Sequence, residues 1–378
     1  MPLFDPGPKA RREDLYDRER ELETLINAVE KCEPLILLLG PRRCGKTSLL
    51  QVALNECRVP NIVLDCRVFE ERIHIRYADL MKVLEKKLNE FAKPFNRVLE
   101  FLRRVRGIRI LGSGIEFETY SVRNVSLTEI FEALSRWAED EGRCLVIAFD
   151  EAQELSKLRG ATILPTIAYA YDYLRNLSFV FTGSMMGLLY RFLKLDDPRS
   201  PLYGRGFVEV RLAPFPREQA VDFLIKGFRE HGVEPPIEVL EYAVDRLDGV
   251  PGWLTLFGYT ALNRGRIDRE IVDEVLEIAS GMVLEELKHF LEPRYQAAKR
   301  YLAILRAVAQ GFDTWSKIKK FLEVEEGSKV SDSDLYLLLK NLLDASILRK
   351  EDNEYRIADP VLAYAILRKT IRLDKELS

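Results

Sequence analysis

Leu35-Ile36-Leu37-Leu38-Leu39-Gly40-Pro41-Arg42-Arg43-Cys44-Gly45-Lys46-Thr47-Ser48 is the stretch that decides the fold of this chain. An unbroken aliphatic run of strand length follows Pro34, and such runs suit a strand buried on both faces of a parallel sheet. The run breaks into the spacing G-x-x-x-x-G-K-T, after which Lys46–Asn55 reads as a helix. Glycines at 40 and 45 let the backbone curl so that its N–H groups face a phosphate, and the helix directs its positive end at the same charge. In this pattern Lys46 bridges the β- and γ-phosphates and Thr47 holds Mg²⁺. An ordinary glycine turn with an exposed lysine needs neither the strand before nor the helix after. The expected nucleotide site is therefore Gly40, Pro41, Arg42, Arg43, Cys44, Gly45, Lys46, Thr47 and Ser48.

A second segment complements the first. Leu145-Val146-Ile147-Ala148-Phe149 is another buried-strand run, and it ends in Asp150-Glu151. A carboxylate at the end of a neighbouring strand reaches the Mg²⁺ shell, which gives Asp150 its role. The next acid, Glu151, polarises a water for in-line attack on the γ-phosphate. Phe181-Thr182-Gly183-Ser184 ends a further strand, where either Thr182 or Ser184 is placed to sense the phosphate. The chain has no N-K-x-D element of the kind that reads guanine, which favours ATP.

Working outward, Leu22, Leu25, Ile26 and Val29 have helical spacing behind a capping Asp17. The first sixteen residues, polar and with three prolines, read as an arm. Ile62-Val63-Leu64, Leu177–Phe181 and Val208–Leu212 read as further strands. Residues 75–106 read as helix, and residues 107–120 as a β-hairpin inserted around Gly112-Ser113-Gly114. Strands alternating with helices imply a three-layer α/β domain with a parallel sheet. Beyond Pro214-Phe215-Pro216 the chain reads as all helix to about residue 290. It then gives three helices, two short strands and a last helix over Val361–Leu373, the order of a winged helix. The expected organisation is a P-loop NTPase domain over 1–213, a helical lid over 214–290 and a winged-helix domain over 291–378.

Composition narrows the rest. A length of 378 residues suggests two or three domains, and a net charge of −3 argues against bulk polyanion binding. Charged residues at 31% resemble thermophile usage. The five cysteines have no paired or metal-ligand spacing, so reduced thiols and a cytoplasmic location are expected. The N-terminus has no signal-peptide pattern, and no apolar run reaches the roughly 18 residues of a membrane span. Cys44, beside a helix N-terminus, is expected either to have a lowered pKa, with alkylation that ATP blocks, or to be a small tolerated side chain.

Taken in order, these segments resemble an archaeal-type P-loop ATPase of the STAND group, within the broad AAA+ and Orc/Cdc6-like lineage. The resemblance covers nearly the whole chain. It rests on Leu15-Tyr16-Asp17-Arg18-Glu19, the phosphate loop, Phe149-Asp150-Glu151-Ala152-Gln153, Phe181-Thr182-Gly183-Ser184, Pro201-Leu202-Tyr203-Gly204-Arg205, Gly249-Val250-Pro251 and the terminal winged helix. It implies an ATP- and ADP-binding, Mg²⁺-dependent hydrolase. Tyr16 and Arg18 would lie near adenine or the phosphates, Pro251 would open the lid helix, and Arg205 would stabilise transition-state charge.

The expected partners are ATP and a protein, either another molecule or a second copy of the chain. Nucleic acid is the less favoured partner. The third winged-helix helix carries Asp334 and Asp344 against Lys340, a poor charge balance for phosphate contact. Lys317, Lys319, Lys320, Arg349 and Lys350 nearby, and the basic run Arg97, Arg103, Arg104, Arg106 and Arg109, keep a DNA-associated, initiator-like or mobile-element ATPase as the alternative to a nucleotide switch.

Overall fold

In the computed structural model of the protein, which describes residues 2–112, 114–118 and 125–368, the aliphatic runs become the middle of one parallel sheet. The strands in chain order are β1 (Leu35–Leu39), β2 (Asn61–Asp65), β3 (Ile75–Arg76), β4 (Ile108–Leu111), β5 (Gly114–Phe117), β6 (Leu145–Asp150), β7 (Leu158–Arg159), β8 (Leu177–Gly183), β9 (Val208–Arg211), β10 (Leu348–Glu351) and β11 (Glu354–Ile357). The main sheet has the order β2-β6-β8-β1-β9, with every neighbouring pair parallel. Every residue of β1, β6 and β8 is buried. This is what a strand without alternation requires, because helices must cover both faces.

The helices of this layer are α1 (Glu19–Glu30), α2 (Lys46–Cys57), α3 (Tyr77–Ala92), α4 (Val98–Leu102), α5 (Leu127–Asp140), α6 (Leu164–Tyr173) and α7 (Met186–Leu193). The strand period of two sorts β1 between two cores. Ile36 and Leu38 pack with Leu25 of α1 and Leu49 of α2. Leu35, Leu37 and Leu39 pack with Leu84 of α3 and Phe131 of α5 on the other face. The stretch read as one helix over 75–106 is two, because Pro94 cannot continue α3. The β4–β5 hairpin docks on α3 through Asn89, which exchanges hydrogen bonds of 2.8 and 2.7 Å with the backbone of Ile115. Ser113 of its turn, residues 119–120 of the expected insertion and residues 369–373 of the expected last helix lie outside the described residues.

The second half is helical: α8 (Arg217–Arg229), α9 (Ile237–Leu247), α10 (Pro251–Arg264) and α11 (Arg269–Leu291), then α12 (Ala298–Ala309), α13 (Trp315–Glu326) and α14 (Asp332–Asp344), the β10–β11 wing and α15 (Pro360–Arg368). One apolar core runs from Phe223 of α8 through Val272 of α11 to Leu338 of α14 and Val361 of α15. What the sequence reads as a lid and a winged helix therefore shares a single core.

The structure changes three expectations here. The N-terminal arm is anchored: Phe4 is 2% exposed and sits in the helical core. It is seated against Gly227 and Gly258, where a Cβ would come within 2.4 Å of its ring. Asp17 does not cap α1; Arg18 holds the N-cap position, and Asp17 has a left-handed backbone (φ 48°). The cysteines are not all reduced, because Cys32 and Cys144 form a disulfide with Cα atoms 5.7 Å apart. They precede β1 and β6, the two strands that flank β8, so the sheet order brings together residues 112 apart in sequence. Closing so long a loop restricts the unfolded chain and is expected to contribute about 2–4 kcal/mol. Cys144→Ser should lower unfolding free energy by that amount in urea titration, and reductant should destabilise the wild type but not the variant.

Candidate nucleotide site

The parallel register places the carboxyl ends of β1, β6 and β8 side by side, with Leu39 opposite Gly183 and Phe149 opposite Phe181. The phosphate loop leaves β1 there and enters α2 through Gly45, whose φ of 91° suits glycine. Lys46 is buried, with Nζ 3.0 Å from each of the carbonyl oxygens of Gly40 and Pro41. It lies 3.6 Å from Glu151 Oε1. Thr47 Oγ1 donates to Asp150 Oδ2 at 3.0 Å. Two hard oxygen ligands thus meet at one point, a donor set that fits Mg²⁺ completed by water and phosphate oxygens.

The two acids at the end of β6 are held differently. Asp150 is buried and accepts from Thr182 Oγ1 as well as from Thr47. Burial pushes its carboxyl up, against these hydrogen bonds. Glu151 has a left-handed backbone (φ 52°), and its N–H donates to Thr182 Oγ1 at 3.0 Å. Burial would push its carboxyl up too, but Lys46 and the hydrogen bonds from Ser184 and Gln153 outweigh it and hold the group below the usual carboxylate range. The two hydroxyls that the sequence leaves unseparated therefore differ in position. Thr182 bridges the acids through Asp150 and the Glu151 backbone, while Ser184 Oγ donates to the Glu151 carboxylate at 2.6 Å.

A cleft of about 610 Å³ opens in front of the loop, within the range of small-ligand sites. Arg42, Arg43, Cys44, Gly45, Lys46, Thr47, Ser48, Tyr16, Arg18, Glu151 and Pro251 line it. Tyr16 packs edge-on against Phe215 and Phe223, and its hydroxyl donates to Asp222 at 2.5 Å. Arg18 lies over the Phe215 ring, 4.6 Å from its centre. Pro251 is the first residue of α10, and the next N–H, of Gly252, donates to the carbonyl of Arg43 at 3.0 Å.

Sequence reasoning missed several residues at the cleft. The N-terminal segment straps across it: Leu3 N–H donates to Glu230 of the helical unit and Lys9 N–H to Ser48 Oγ. Phe4 is the only aromatic residue before Tyr16, and a lone aromatic among prolines was the signal available. Glu286 of α11 pairs with both loop arginines, at 3.4 Å from Arg42 and in closer contact with Arg43; Glu70 takes Arg42 at 2.6 Å. Arg43 also lies over the ring of Trp253, 4.0 Å from its centre, and the Trp253 indole N–H donates to Asp359, the residue before α15. No local motif marks Glu286, Trp253 or Asp359.

The structure bears on two further expectations. Arg205 does not line the cleft; its guanidinium pairs with Asp172 of α6 at 2.5 Å and with the carbonyl of Pro201. Cys44 is buried, and burial pushes its thiol up to about 11, so nearby Lys46 and Arg18 do not make it a thiolate.

The parallel sheet, the phosphate loop after β1, the acids ending β6 and the appended winged helix define a P-loop ATPase fold with a C-terminal winged helix. Residues 15–257 match the family described as an ATPase domain predominantly from Archaea, and the chain belongs to that family. Residues 295–358 match the C-terminal winged helix-turn-helix domain of MCM proteins. Among solved structures, the Walker-type ATPase paby2304 of Pyrococcus abyssi is 42% identical, with a TM-score of 0.80 over 97% of this chain and 99% of its own. The ORC2 protein of Aeropyrum pernix in its ADPNP–ADP complexes shares 14% identity and a TM-score of 0.62 over 97% of this chain and 95% of its own, a likeness of fold. No curated protein matches the chain.

Because its thiol is buried and protonated at neutral pH, Cys44 should resist iodoacetamide at pH 7.5 equally with and without ATP. Peptide mass spectrometry of the folded protein checks this, and labelling should rise only as pH approaches 11 or on unfolding.

Proposed function

We propose that the protein is an ATP-binding, Mg²⁺-dependent ATP-hydrolysing switch in which lid closure is coupled to a winged-helix regulatory domain. The contacts that carry this reading run through all three units: Arg43 of the phosphate loop, Trp253 of the lid helix α10 and Asp359 at the start of α15. Thr47 and Asp150 would hold Mg²⁺, which neutralises charge on the phosphates when bound. Lys46 exchanges the carbonyls of Gly40 and Pro41 for phosphate oxygens. Glu151, kept ionised beside Lys46, orients and polarises the attacking water. An arriving triphosphate competes with Glu286 for Arg42 and Arg43, and so bears directly on α11. The ordered elements named above also support placement in the STAND group.

The winged helix leans on the ATPase rather than standing free. Arg191 of α7 pairs with Asp344 at the end of α14, and Met186 N–H donates to Ser346 Oγ at 3.1 Å. These contacts tie the C-terminal end of α14 to the ATPase unit, and support a regulatory or protein-binding role. The decisive measurement combines turnover with a distance between labels on α2 and α14. Glu151→Gln should cut turnover at least ~100-fold. ATP should change the label distance in wild type, and Trp253→Phe, which keeps the ring but loses the N–H donor, should blunt that change. A wild-type distance indifferent to nucleotide would sink the switch.

One observation supports the DNA-associated alternative. Arg97 is paired with Asp140 and Glu141, and Arg109 with Glu118. Arg103, Arg104 and Arg106 beside them are exposed and have no ion pair among the described residues. If this face holds duplex DNA, reversing the three charges should abolish retention in low salt and flatten its salt dependence by about 0.9 per lost phosphate contact. Retention that survives the reversal removes this face as the DNA contact.

A further inference from the structure

The two oxygens of the Glu151 carboxylate are used unequally. Oε2 accepts three hydrogen bonds: from Gln153 Nε2 at 2.6 Å, from Ser184 Oγ at 2.6 Å and from Ser184 N–H at 3.0 Å. Oε1 accepts none of them and faces Lys46. Ser184 follows directly on β8, so its position comes with the sheet. Gln153 comes from the 3₁₀ turn Ala152–Lys157 that follows β6, and it is 2% exposed.

Its amide is an odd choice for a buried position. Oε1 of Gln153 has no hydrogen-bond partner among the described residues. It faces Gly183, where a Cβ would lie 3.1 Å away, and Leu189 is packed beside it. A buried acceptor without a donor is unfavourable, and the surroundings would suit an apolar side chain equally well. Turning the amide over would set its oxygen against Glu151 Oε2, acceptor against acceptor, so the carboxylate fixes which end of the amide faces it. The amide is explained by what it gives Glu151.

We infer that Gln153 is a positioning residue: together with Ser184 it saturates Oε2 of Glu151 and leaves Oε1 alone presented beside Lys46, where the attacking water must be held. This rests on the reading of Glu151 as the water-polarising base, and adds to it a residue at the edge of the same cleft that acts through Glu151. A carboxylate with three donors on one oxygen has one orientation; with the amide removed it can swing between Lys46 and Ser184, and a misplacement of about 1 Å is enough to lose most of a proximity effect.

The test is a double-mutant cycle of Gln153→Met, which keeps the length of the side chain without its donor, and Glu151→Gln, read as Mg-ATP turnover. Gln153→Met should lower kcat at least tenfold, leave KM and the affinity for a fluorescent ATP analogue within about twofold, and cause no further loss in the Glu151→Gln background. An unchanged kcat, or an equal loss in both backgrounds, overturns the inference. The thermal midpoints of the same four proteins give a readout that needs no turnover. Gln153→Met should shift the midpoint by different amounts with and without the Glu151 carboxylate, and equal shifts overturn the inference. Wild-type turnover by Glu151→Gln alone is a separate result: it removes the base reading, and the thermal cycle still decides whether Gln153 holds Glu151.

Discussion

β8 lies between β1 and β6, hydrogen-bonded to both, and this pairing sets the geometry of the site. With strands about 4.8 Å apart, the end of β6 stands roughly 10 Å from the start of the phosphate loop, and the end of β8 fills the interval. Thr182 and Ser184 are therefore the groups that can brace Asp150 and Glu151, while Thr47 reaches across from α2. Thr182 points to the acids only in this register. A slip of one residue would turn it to the other face of the sheet and put Phe181 in its place.

That dependence explains what could be read from the sequence. Phosphate loops and strand-end acids are local: each needs a run of apolar residues followed by a particular turn, and Gly40–Thr47 and Asp150-Glu151 carry both parts. Strand order is not local. Nothing around Cys32 or Cys144 announces the other, because their pairing follows from β1 and β6 both flanking β8. The thermophile-like charge content did bear on it, since intracellular disulfides are common in hyperthermophiles and the rule of reduced thiols is weakest there. Glu286, Trp253 and Asp359 were illegible for the same reason, each being an ordinary residue of an amphipathic helix or turn until the helical core is laid against the loop. The helices α6 and α7 escaped because their stretches are short, 10 and 8 residues, and apolar enough to pass for loop or strand segments.

The charges at the loop are balanced from three parts of the chain. Arg42, Arg43 and Lys46 place three cations within five residues, a repulsive arrangement in a half-buried turn. Each is matched by a carboxylate from a different part of the chain: Glu70 and Glu286 on the arginines, Glu151 on the lysine. Of the three, only Glu286 belongs to the helical unit. A charge pair at 4 Å is worth about 4 kcal/mol at an effective dielectric of 20, before desolvation and screening by salt reduce it. A triphosphate brings more negative charge to these cations than Glu286 does, so in the proposed switch its arrival would weaken one specific tie between the loop and α11.

The second tie has the opposite character. Arg43 over Trp253 is a cation–π contact, worth about 0.5–2 kcal/mol, and the Trp253 N–H to Asp359 is a hydrogen bond to a charged acceptor, worth about 1.5–3 kcal/mol. Neither is displaced by an anion at the loop. Asp359 is buried, which pushes its carboxyl up, and the nearby Arg43 works against that shift. Arg43 thus has two partners: Glu286, which a phosphate would replace in the proposed switch, and Trp253, which it would not. A guanidinium freed from Glu286 yet still stacked on Trp253 can turn towards the phosphate only by carrying the indole with it or by leaving the ring. The indole is bonded to Asp359, so either motion changes a contact of the winged helix. A shift from 1:99 to 99:1 between two lid positions needs about 5.5 kcal/mol of differential binding. In the proposed switch that difference would have to come from the nucleotide's own contacts in the two positions, and the exchange of Glu286 for phosphate on Arg43 would be one that also bears on Trp253.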